Sequence, residues 1–141
     1  MVDKRLGYII KRTQQLLRLQ MDGALDTVGL TTPQYAALSI LEEDEGLSNA
    51  ELARRCFVTP QTMHKIVKGL EEKSYVRRQS DPTHGRKINT LLTSSGEEIL
   101  QSGHEIVEDI ETEMTQDLTK GEVAQTVKHL SKCIESLESS S

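Results

Sequence analysis

Five polar side chains, Gln61, Thr62, His64, Lys65 and Lys68, crowd into one stretch beginning at Thr59-Pro60. At about 100° per residue, Gln61, His64, Lys65 and Lys68 fall on one side with Thr62 at its flank, opposite Met63, Ile66, Val67 and Leu70 at i, i+3, i+4 and i+7. Amides, hydroxyls and ammonium groups on one exposed helix face can meet base edges and phosphates in a major groove. Further cations flank this face. Arg54, Arg78 and Lys87 are candidate phosphate contacts, as are Arg55 and Arg77, and Arg86 suits an adjacent minor groove. Asp81 is expected to brace the segment that carries Arg86 by pairing with an arginine, because a carboxylate facing phosphate is repelled.

The surrounding residues supply the elements that would hold this face in place. Ser48 with Glu51 three residues later forms a capping box, and Thr59 can cap a second helix whose first position suits Pro60. Between them lie Cys56, Phe57 and Val58, so the two helices must cross sharply. Residues 75–79 and 88–92 read as strands around Ser80-Asp81-Pro82-Thr83-His84-Gly85, a run dense in turn formers. Helix, turn, helix and basic-tipped hairpin together describe a winged helix-turn-helix over residues 31–93.

Outside it the pattern is helical. Asp3 is placed to cap a helix from about Lys4 to Val28, closed by Gly29, and Thr31-Thr32-Pro33 opens another that the acidic run Glu42 to Glu45 ends in a solvated loop. Thr93 or Ser94 can cap a long helix with apolar residues recurring from Ile99 to Leu118. Thr119 and Glu122 form a further capping box, and Ser139 to Ser141 read as a frayed tail. In the last helix Val123, Val127, Leu130, Ile134 and Leu137 follow heptad spacing, which calls for partner helices. With Ile9 and Ile10 they form the expected dimer interface. The fold expected is mostly α with a small β-hairpin, a single domain over 1–141 in which residues 1–30 and 94–141 form a dimerisation lobe.

Charge supports this division. The net charge is −5, yet residues 48–92 hold nine Lys/Arg against four Asp/Glu, while residues 93–141 hold three against eleven. A basic module in an acidic frame is attracted to phosphate at one face and repelled at the other. No apolar run reaches membrane-spanning length and no signal peptide is evident, so a cytoplasmic, nucleoid-associated protein with no membrane partner is expected. The four histidines are scattered, the two cysteines lack metal-ligand spacing, and no nucleophile elbow or phosphate loop occurs. Neither metal, cofactor nor catalysis is expected.

The succession TxPQYxxLxxL, S-x-A-E-L-A-x-R, VTPQTMHKIVKGLEEK, YVRR, DPTHGRK and LLTSSG resembles the MarR family of bacterial transcriptional regulators over nearly the whole chain. The family's wing carries an Asp-x-x-Asp-x-Arg-type run closed by Leu-Thr-x-x-Gly, and Asp81, Arg86, Leu92, Thr93 and Gly96 match it. His84 stands where an acidic residue is commoner and Gly85 where an arginine is frequent. The resemblance implies a triangular homodimer reading a pseudo-palindrome in successive major grooves. It also implies a response to small aromatic or phenolic ligands, or to oxidants, and no cofactor.

The function expected is that of a sequence-specific DNA-binding transcriptional regulator, a ligand-responsive repressor acting as a homodimer on double-stranded DNA. Tyr8, Arg18 and Tyr35 are candidate residues for a ligand crevice. Two alternatives stand beside it: a redox-responsive regulator using Cys56 or Cys133, and a winged-helix interaction module that does not read DNA. Peroxide-sensing members of the family tend to carry their reactive cysteine in the first helix, and this first helix has none.

Overall fold

The computed structural model describes residues 2–83, 85 and 87–140. A short 3-10 turn, Val2–Lys4, precedes α1 (Leu6–Asp26), α2 (Thr32–Glu43), β1 (Leu47–Ser48), α3 (Asn49–Arg55), α4 (Pro60–Glu72), β2 (Val76–Ser80), β3 (Ile88–Leu92), α5 (Ser94–Met114) and α6 (Lys120–Ser139). The chain divides into two compact units, residues 1–107 and 108–141.

Capping chemistry sets most of the helix starts. Ser48 with Glu51 and Thr119 with Glu122 form the expected capping boxes, with every bond between 2.9 and 3.2 Å. Thr31 with Gln34 forms a third. Thr93 accepts a bond from the Gly96 amide and donates its own hydroxyl to the Ser74 carbonyl, anchoring the start of α5 to the end of the α4–β2 turn. Asp3 does not cap α1. It lies in the 3-10 turn, and the helix begins at Leu6 after an extended Arg5 that offers no side-chain cap. Gly29 sits at φ +77° in the turn that closes α1, a conformation open to glycine at little cost.

The hairpin expected from the sequence forms with its second strand as read and its first one residue later, Val76 standing opposite Leu92 and Ser80 opposite Ile88. It is also not alone. Leu47 and Ser48 pair with Thr90 and Asn89, giving a three-stranded antiparallel sheet in the order β1-β3-β2. A two-residue strand has no periodicity to read, so this edge escaped sequence analysis. Likewise α5 ends at Met114 rather than Leu118, because Thr115–Leu118 form a turn before the Thr119 cap, and Ser139 belongs to α6 rather than to a tail.

In the first unit Leu25, Leu30, Leu38, Leu41, Leu52, Met63, Val67, Leu70 and Leu100 are buried in one core. Burying a side chain of this size stabilises by about 1.5–3 kcal/mol. Residues from α1 and α5 therefore close the core of the helix-turn-helix. Among the described residues of the second unit none is buried, and Val127, Ile134 and Leu137 are 56–71 % exposed. Among the described residues no helix is long and apolar enough to cross a membrane.

Candidate nucleic-acid interface

The exposed face of α4 follows from what its other face buries. Met63, Val67 and Leu70 are fully buried against Leu52 and Ala53 of α3 and Leu38 and Leu41 of α2, and Ile66 is half-buried beside them. Gln61, Thr62, His64, Lys65 and Lys68 therefore point to solvent, and all five are exposed. Pro60, Gln61, His64 and Lys65 line an open depression of about 510 Å³ at the N-terminal end of α4.

The start of α4 is held from two directions. Thr59 accepts from the Thr62 amide at 3.1 Å, and its hydroxyl donates to the Thr62 hydroxyl at 3.0 Å. Asn49, at the start of α3, donates its amide to the Pro60 carbonyl at 3.1 Å, joining the first turns of both helices. Between the helices the chain turns at Phe57, whose φ of +59° is left-handed and whose side chain is 93 % exposed. This strain has no mark in the sequence, since Phe carries no turn signal.

The wing is tied to the same helices. Lys87 Nζ lies 2.9 Å from Glu51, the carboxylate that also accepts from the Ser48 amide. The Lys87 ammonium and the Ser48 bonds hold the Glu51 carboxyl down at about 2, and Glu51 in turn raises the Lys87 pKa. The Asp81 carboxylate accepts from the Thr83 amide and hydroxyl at 2.8 and 2.7 Å and from Asn89 at 3.4 Å, and its amide donates to the Lys87 carbonyl. His84 and Arg86, the residue expected in the minor groove, lie outside the described residues.

The remaining cations differ in what they touch. Arg54 is exposed at the end of α3. Arg55 is held by Glu43 and Asp44 at 3.6 and 3.5 Å, so the acidic end of α2, read as merely solvated, ion-pairs with the helix-turn-helix. Arg77 donates to Gln79, and Arg78, less than a third exposed, stands 3.8 Å from Glu71.

The residues considered for dimerisation and ligand binding lie on other elements, α1, α2 and α6. Ile9, Ile10, Val127, Leu130, Ile134 and Leu137 are exposed, and Val123 is half-buried. Tyr8 and Arg18 lie ten residues apart on α1, about 15 Å along its axis. Arg18 pairs with Asp22, which also accepts the Thr32 hydroxyl at 2.5 Å; Thr32 first and then Arg18 lower the Asp22 pKa. Tyr35 is half-buried, with its hydroxyl 2.8 Å from His104 Nδ1, while His104 Nε2 is 2.9 Å from Glu42. This chain from α2 to α5 escaped sequence reading because its members are 62 and more residues apart. Cys56 is half-buried at the helix-helix turn, and burial pushes its thiol up, away from the reactive thiolate. Cys133 is half-buried on α6. Among the described residues no cluster of His, Cys, Asp and Glu could hold a metal ion.

Comparison with known proteins gives this arrangement its relatives. The sequence profile of the MarR family matches residues 28–87. The HTH-type transcriptional repressor Rv2887 of Mycobacterium tuberculosis is 32% identical over 130 residues, covering 92% of this chain and 94% of its own. The structure of Rv2887 in complex with DNA superimposes with a TM-score of 0.77 at 30% identity, over 92% of this chain and 97% of that one. Its complex with salicylic acid gives 0.75 at 32% identity, over 92% and 96%. A repressor 32% identical over nearly all of both sequences, together with the match to the family profile, establishes that the chain belongs to the MarR family of winged helix-turn-helix transcriptional regulators.

Proposed function

We propose that the chain acts as a homodimeric, sequence-specific DNA-binding repressor released from its operator by a small aromatic or phenolic acid. The observation that carries the reading is the α4 face: a buried apolar stripe fixes the helix, so Gln61, Thr62, His64, Lys65 and Lys68 stand exposed together at the end that can enter a major groove. Arg54 and Lys68 serve as phosphate contacts on this reading, Arg78 and Lys87 flank them, and Arg86 is the minor-groove residue.

Dimerisation rests on the apolar residues left exposed on α1 and α6, above all Val127, Leu130, Ile134 and Leu137 of the heptad series that the half-buried Val123 opens. In the domain organisation we propose, residues 31–93 read DNA and the terminal helices, 1–30 and 94–141, join two copies. A two-fold dimer then presents two α4 helices to half-sites about one helical turn apart. A ligand that binds more tightly to a conformation with a different helix separation lowers operator affinity by its differential affinity for the two states. The salicylic acid complex of Rv2887 recommends that ligand class. The redox alternative finds no support at Cys56, whose thiol is held protonated by burial.

The test is a fluorescence-anisotropy titration of a palindromic duplex selected by the full-length protein, repeated with salicylate. Saturable binding that salicylate reverses supports the proposal. Failure to bind any duplex contradicts the regulator reading, and binding indifferent to aromatic acids contradicts the inducer class.

A further inference from the structure

Building on the DNA-reading proposal, we propose that base selection in each half-site rests on two side chains, Gln61 reading an adenine and Lys65 reading a guanine within about two base-pair steps of it. The two differ from their neighbours in what they have left to offer. Both are exposed, and both line the depression at the start of α4. Among the described residues neither spends its side chain on a hydrogen bond or ion pair within the protein. Thr62 beside them already accepts the Thr59 hydroxyl, and Lys87 is paired with Glu51.

Position on the helix separates readers from clamps. Gln61 and Lys65 are one turn apart, offset by about 40° around the helix and about 6 Å along it, against a base-pair step of about 3.4 Å. Lys68 lies on the same stripe but about 10 Å beyond Gln61, where a helix entering by its N-terminus leaves the groove floor for the phosphates. His64 sits about 60° to the other side, at the groove wall.

Chemistry then assigns the bases. A glutamine amide can accept from adenine N6 and donate to N7 in one plane, and a lysine ammonium donates to guanine O6 and N7. Neither pattern is offered by the partner bases, thymine and cytosine, so each side chain orients its pair.

Selection from random duplexes by the full-length wild type, Gln61→Ala, Lys65→Ala and Lys65→Arg tests the assignment. The wild type is expected to enrich half-sites holding an adenine and a guanine at most two steps apart. Gln61→Ala is expected to lose the adenine preference by roughly 5- to 100-fold while keeping the guanine, Lys65→Ala the reverse, and Lys65→Arg to retain both. Variants that weaken binding equally at every position, or that keep the wild-type profile, overturn the assignment. A wild type that enriches no motif instead overturns the DNA-reading proposal on which it rests, so the two failures are distinct.

Discussion

Lys87, at the root of the wing, and Glu51, in the first turn of α3, stand 2.9 Å apart, so one carboxylate both caps a helix and fastens the hairpin to it. The backbone repeats the connection, since Ser48 pairs with Asn89 across β1 and β3. The wing is thereby fixed to the helix-turn-helix through a side chain and a strand.

Glu51→Gln separates these two duties, because glutamine at the third helical position still caps but cannot form the ion pair. At pH 7 it is expected to cost about 0.5 kcal/mol, as partly exposed ion pairs do, and Glu51→Ala about 1 kcal/mol more through the cap. The folded carboxyl titrates at about 2, below its ordinary value of 4.5, so its stabilisation is complete above the ordinary value and is lost as pH falls towards 2. Urea denaturation from pH 7 to pH 2 should find the gap between wild type and Glu51→Gln closing across that window. A gap unchanged at pH 2 would remove the ion pair from the account.

Gly96 is required by contact rather than by conformation. A Cβ there would lie 2.0 Å from the Tyr75 carbonyl oxygen, which also accepts the Thr93 amide. Gly96→Ala must push α5 away from the α4–β2 turn, a loss of roughly 1–3 kcal/mol or more. A urea midpoint equal to that of the wild type would show the contact to be looser than described.

Phe57 offers a stabilising change. Its left-handed φ costs a non-glycine residue about 1–2 kcal/mol, partly offset by the greater entropy that glycine loses on folding. Phe57→Gly is therefore expected to gain about 1 kcal/mol, and Phe57→Ala, which keeps the strain and removes an exposed ring, close to none. Thermal melts of both decide it: a glycine variant no more stable than the alanine variant means the strain is relieved elsewhere.

Much of this architecture was legible in the residues themselves. The Ser48 and Thr119 capping boxes, the Thr59-Pro60 start and the stripe Met63, Ile66, Val67, Leu70 are local signals, and local signals fix helix starts and faces. What stayed hidden was long-range or unpatterned. The β1 edge is two residues long, Tyr35 meets His104 across 69 positions, and the positive φ of Phe57 falls on a residue with no turn preference. Asp3 misled for a related reason: a capping residue type marks a possible start, and the chain used a 3-10 turn there instead. For the candidate site, helical spacing put Gln61, Thr62, His64, Lys65 and Lys68 on the exposed face of α4, but which cations are held by carboxylates emerged from three-dimensional proximity, as with Arg55 and Glu43.

Lys68 tests the distinction between phosphate and base contacts. Lys68→Ala is expected to weaken binding to selected and scrambled duplexes alike and to reduce the salt slope by about 0.9. A loss confined to the selected sequence would make it a base reader.

The central claim, that the exposed face of α4 reads duplex DNA, is tested most directly by the salt dependence of binding. Affinity for a selected duplex is measured from 50 to 200 mM salt for wild type, Lys65→Ala and Arg86→Ala. The expected result is saturable binding that falls by about 10³-fold or more over that range, with both variants weaker and Arg86→Ala less salt-dependent. Absence of duplex binding at the lowest salt, or binding that neither substitution alters, would contradict it.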